Sequence, residues 1–91
     1  MPFFYNLSAL HFRHESFAGE VRTVLSEHLE QGGSGSHDYT VSIVPIPQRG
    51  SKIPLEYRVL IKVGNQSVIP DTYDIVLVFA GWKIFVERRD K

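Results

Sequence analysis

Gln31-Gly32-Gly33-Ser34-Gly35-Ser36-His37 divides the chain into two unlike halves. Upstream of it the apolar residues recur at helical spacing. Downstream they alternate with polar ones, as strands require. Phe17, Val21, Val24, Leu25, His28 and Leu29 fall at three- and four-residue steps. That spacing predicts an amphipathic helix over 15–31, with Glu15 and Glu20 suiting the positive end of its dipole and Gly32 as its stop. Before it, Phe3, Phe4, Tyr5, Leu7, Leu10 and Phe12 read as a strand or extended arm.

Beyond the seam, Tyr39, Val41 and Ile43 alternate with Thr40 and Ser42, which is the pattern of a half-buried strand. Pro45 and Pro47 end it or push it to a sheet edge. Leu55, Tyr57, Val59, Ile61 and Val63 mark the cleanest strand of the chain. Gly64-Asn65 and Pro70-Asp71 are turns, and Gln66–Ile69 is a short return strand. Tyr73–Phe79 is apolar on both faces and belongs at the centre of a sheet. Ala80-Gly81 closes a hairpin onto Trp82–Val86. The charged tail from Glu87 to Lys91 reads as solvated and frayed. The sum is a single α+β domain over 1–91: an N-terminal helix packed on a four- or five-strand antiparallel meander sheet, so that one helix and one sheet bury each other's apolar faces.

The Gly/Ser run over 32–37 admits three readings. It is an ordinary flexible connection between helix and sheet. Its composition is also that of a man-made linker tethering 1–31 to the sheet of 38–91. As a phosphate-cradling loop it fails, because no Lys-Ser/Thr follows and a strand comes next instead of a helix.

Composition narrows the function classes. Ten basic and ten acidic residues give a formal net charge of zero, which lacks the basic footprint of a nucleic-acid or anionic-membrane binder as a whole. Without cysteine there is no disulfide, thiolate site or Cys nucleophile. No apolar run approaches the ~20 residues of a membrane span. A cytoplasmic location fits these features, with neither membrane nor nucleic-acid partner expected.

Chemistry-bearing patterns are sparse. His11 and His14 share a helical face with His28 one side along, but a zinc set needs three or four convergent ligands, so no metal and no cofactor is expected. Asp71 and Asp74 flank a turn. Gly33-Ser34-Gly35 lacks the flanks of a nucleophile elbow. Arg49, Lys52 and Arg58 form a loose basic group, separated from Tyr57 by strand alternation. No catalytic set emerges. What remains is apolar surface in excess of one helix. The expectation is a non-enzymatic protein-interaction domain that binds a partner or a second copy through sheet surface or edge. Its contact residues are Phe85, Trp82, Ile43, Tyr39, Phe3 and Phe4, and strand 39–47 is the edge. The alternative is a small ligand-binding or enzymatic α+β half-barrel, with His28, Tyr57 and Asp74 lining a pocket between helix and sheet.

Overall fold

The computed structural model describes residues 3–31 and 37–91, so the Gly/Ser run of 32–36 and its three readings lie outside the described residues. The chain forms β1 (Phe3–Asn6), a 3-10 segment (Phe12–Phe17), α1 (Ala18–Leu29), β2 (Tyr39–Pro45), β3 (Glu56–Val63), β4 (Gln66–Ser67), β5 (Tyr73–Ala80) and β6 (Lys83–Asp90). One helix lies on a six-stranded, mostly antiparallel open sheet, which is the expected α+β fold with more strands than the pattern predicts.

The helix begins later than its periodicity suggests. Residues 12–17 wind as 3-10, capped by the His11 ring, whose Nδ1 accepts from the Arg13 N–H at 3.2 Å. The regular helix follows from Ala18, and its stripe buries Val21 and Leu25 completely. His28, read as edging that stripe, is exposed.

Sheet order is β1-β2-β3-β5-β6, with β4 pairing β3 off the main path. β1 lies parallel to β2, with Phe3 opposite Tyr39 and Asn6 opposite Ser42. This corrects the all-antiparallel expectation. A parallel neighbour requires a crossover, and the 3-10 segment with α1 supplies it. The same pairing corrects the edge assignment of 39–47, since β2 sits between β1 and β3. Among the described residues the path ends at β1 and β6, and the short β4 forms a further edge beside β3. The expected frayed tail is also corrected, because β6 pairs with β5 in register from Lys83 to Asp90. Hairpin geometry starts this register. Ala80 opposes Lys83 across the two-residue loop Gly81-Trp82, and Gly81 takes the positive φ of 65° that such a loop demands at its first position.

Register assigns the faces. Toward the helix point Val41, Ile43, Tyr57, Val59, Ile61, Leu77, Phe79, Ile84 and Val86, which with Leu10, Val21 and Leu25 build the core. The opposite face has no element over it among the described residues. It carries Thr40, Ser42, Val44, Arg58, Leu60, Val76, Val78, Phe85, Glu87 and Arg89 in alternating positions.

Candidate functional site

Among the described residues, polar chemistry or an open backbone edge gathers at several places, three of them positioned directly by the sheet.

The first is buried. His14 stacks on Phe79 with ring centroids 4.0 Å apart and an interplanar angle of 10°. Its Nδ1 lies 2.6 Å from the Tyr57 hydroxyl, which also accepts the His11 backbone N–H at 3.0 Å. One arrangement satisfies every group: the hydroxyl donates to a neutral His14 Nδ1 and accepts from His11. Burial, then the neighbouring His11 ring, lowers the His14 pKa, and burial raises that of Tyr57. The histidine is thereby kept neutral and its bonded nitrogen occupied. This cluster ties the 3-10 segment to β3 and β5, and it does not open into a pocket of its own.

The second is the fork of the sheet. β3 pairs with β5 only at Glu56–Arg58, and farther along it pairs with β4 at Lys62 and Val63. A shallow cleft of ≈ 190 Å³ fills the gap, lined by Arg58, Leu60, Tyr73, Asp74 and Lys91 among others. Asp74 there is approached by Arg58 at 3.9 Å and Lys91 at 3.7 Å. These are loose, partly exposed pairs worth little.

The third is the outer edge of β6 and the groove beside it. The closing pair Ala80–Lys83 of a two-residue hairpin exchanges both backbone hydrogen bonds, and pairs alternate from there. Phe85 and Glu87 therefore direct their N–H and C=O inward to β5. Ile84, Val86 and Arg88 direct theirs outward, where the sheet order places no further strand. Alongside runs a groove of ≈ 350 Å³ between α1 and β6, lined by Val24, Glu27, His28, Gln31, Ile84, Phe85 and Val86.

Of the residues expected to meet a partner, Trp82 is 86% exposed at the hairpin tip and Phe85 is 40% exposed on the uncovered face. Phe4 is exposed on β1, whereas Phe3 and Tyr39 are half-buried and stack on each other at 4.8 Å. Ile43 is a correction. It packs under the helix and is buried, because strand alternation puts it with Val41 on the core face. The alternative pocket set does not assemble. Tyr57 is in the core, His28 lies in the α1–β6 groove, and Asp74 lies at the fork on the other face. Sequence reasoning missed the β6 edge altogether. The alternation of Lys83, Phe85 and Glu87 with Ile84 and Val86 marks the strand, but the four charged residues from Glu87 to Asp90 end the apolar pattern and leave no local sign that the strand runs on.

No family model, curated protein or solved structure matches the chain.

Proposed function

We propose that the protein is a non-enzymatic interaction domain that takes up an extended segment of a partner polypeptide by strand addition to β6. The observation that carries this reading is the coincidence of a free strand edge with an adjoining helix–strand groove. In strand-addition recognition, main-chain hydrogen bonds along an edge supply affinity, and a groove beside it reads alternate side chains. Here the outward backbone groups of Ile84, Val86 and Arg88 are the template. The groove is lined by the apolar Val24, Ile84, Phe85 and Val86 together with the polar Glu27, His28 and Gln31. A segment alternating apolar and polar residues fits it. Charges at Glu87, Arg88, Arg89 and Asp90 guard the far half of the edge against indiscriminate pairing, while its Lys83–Val86 half is the more apolar. A second copy of the chain can offer its own β6 to the same edge, and this is the homodimeric form of the same mode.

The test is selection of binders from a displayed random-peptide library, followed by amide-shift mapping on the labelled protein. Selected peptides are expected to protect the amides of Ile84, Val86 and Arg88 from exchange and to lose roughly tenfold or more in affinity on Arg88→Pro. That substitution removes an outward N–H while leaving the β5 ladder intact. Binders that map only to the uncovered sheet face or to the fork, or that ignore Arg88→Pro, overturn the reading. Light scattering at rising concentration separates the homodimer from capture of another chain.

A further inference from the structure

Zero net charge conceals a basic excess at one end of the sheet. One end of the sheet gathers the 3-10 segment, the loop between β2 and β3, and the β5–β6 hairpin tip. The register fixes this: Pro45 opposes Tyr57, Tyr57 opposes Leu77, and Ala80 opposes Lys83, all toward the same end. On these loops and the strand starts beside them lie Arg13, Arg49, Lys52 and Lys83, all exposed, against two carboxylates, Glu15 and Glu56, the second of them held by Arg89. Toward the other end Asp38, Asp71, Asp74 and Asp90 are balanced by Lys62, Arg88, Arg89 and Lys91. The same basic end carries two of the most exposed aromatic side chains, Trp82 at 86% and Phe12 at 69%. Each projects from its own loop tip. Between Phe12 and the 48–53 loop is an open hollow of ≈ 550 Å³, lined by His11, Phe12, Arg13, Gly50, Ser51, Lys52 and Ile53.

We infer that this loop end docks on an anionic phospholipid surface. Trp82 and Phe12 enter the headgroup–acyl boundary, and the hollow between Arg13 and Lys52 takes a headgroup phosphate. Aromatic side chains with one apolar body favour that boundary, and basic residues are drawn to the negative potential of the leaflet. No helix among the described residues is long and apolar enough to cross a membrane, so the contact is adsorption to the surface. A single-stranded nucleic acid would also meet basic and aromatic groups here. Stacking, however, needs aromatics succeeding one another along a charged groove, whereas Phe12 and Trp82 stand on separate loops. The α1–β6 groove is not part of this surface, so the two proposals stand or fall separately.

Trp82 is the only tryptophan, and it reports the contact directly. The intact chain is titrated with vesicles of phosphatidylcholine alone and of phosphatidylcholine mixed with phosphatidylserine. A blue shift of Trp82 emission and co-sedimentation are expected only with the mixed vesicles, both fading as salt is raised. Arg13→Gln and Lys52→Gln should each weaken binding about fivefold. Lys62→Gln, at the opposite end, should leave it unchanged. Trp82→Ala should weaken sedimentation without altering the circular dichroism spectrum. Equal response to both vesicle types, no response to either, or a shift produced instead by a single-stranded oligonucleotide or by inorganic phosphate alone overturns the inference.

Discussion

The two faces of the sheet shelter their apolar side chains by different physics. Under the helix, Tyr57, Leu77, Val41 and Val59 interlock with Val21 and Leu25, and apolar shape does the covering. On the uncovered face Val76 is only 2% exposed, yet it stands outside that core. The register sets it between Arg58 and Glu87. Arg89, one step along β6 on the same face, spans diagonally across it to grip Glu56 with two bonds of 2.8 and 2.6 Å, while its Nε donates to Glu87 at 2.6 Å. The stem of the arginine is thus a roof, since long cationic side chains cover apolar surface while keeping their heads in water. One face is closed by packing, whereas on the open one a salt-bridged strap runs over Val76, so the first should be sensitive to volume and the second to charge.

The largest expected effect falls on the packed face. Leu25→Ala removes a fully buried side chain at the centre of the helix stripe and should cost about 2–5 kcal/mol in urea-induced unfolding. Phe85→Ser, on the uncovered face, should cost under about 1 kcal/mol despite removing more atoms, because Phe85 is already partly solvated. Equal losses from the two substitutions would dissolve the distinction between the faces.

The packed face was the more legible one. The stripe of Val21 and Leu25 and the alternation of Val41–Ile43 and Tyr57–Ile61 are local periodicities, and α1, β2 and β3 lie within the stretches they mark, though α1 starts three residues later than expected. What stayed hidden depends on residues far apart in the chain. Parallel pairing of Phe3–Asn6 with Tyr39–Ser42 joins segments on opposite sides of the helix and leaves no local mark. It was this pairing that moved the sheet edge from 39–47 to β1. The strap was hidden for the same reason. Glu87-Arg88-Arg89-Asp90 reads as a solvated tail until Glu56, on β3, is brought beside it. The exposed aromatic tips were visible as residues, but their gathering at one basic end came only with the register.

A medium effect is expected from the polar group inside the packed face. Tyr57→Phe keeps the ring but leaves the His11 N–H and the His14 Nδ1 without their hydroxyl, at a cost of about 1–3 kcal/mol. The same site gives a pH signature. Burial lowers the His14 pKa in the folded chain below its ordinary 6.5, so the unfolded chain binds the proton first. The stability that the neutral ring contributes is complete above about pH 6.5 and is lost as pH falls toward the folded value. Chemical unfolding of the parent and of His14→Phe across that window should show the slope in the first and its reduction in the second. An unchanged slope would place the sensitivity elsewhere.

The smallest effect tests the strap itself, and it needs two substitutions. Arg89→Met keeps an apolar stem of similar reach over Val76 and discards the charge. Arg89→Ala discards both. Because the Arg89 side chain is 41% exposed, its ion pairs are screened, and the charge alone is worth about 1 kcal/mol or less. Uncovering Val76 adds a comparable amount at the transfer rate of apolar surface. Arg89→Ala should therefore lose more stability than Arg89→Met. The hydrogen bonds from Arg89 hold the Glu56 carboxyl below its ordinary pKa of 4.5. That contribution is present above pH 4.5 and is lost as pH falls through the folded value, so both variants should be less acid-sensitive than the parent. If Arg89→Met falls as far as Arg89→Ala, the arginine acts as a charge and not as a roof, and the burial of Val76 has another cause. If neither variant changes salt or acid sensitivity, the uncovered face is held by packing like the other, and the contrast between the two fails at its weakest point.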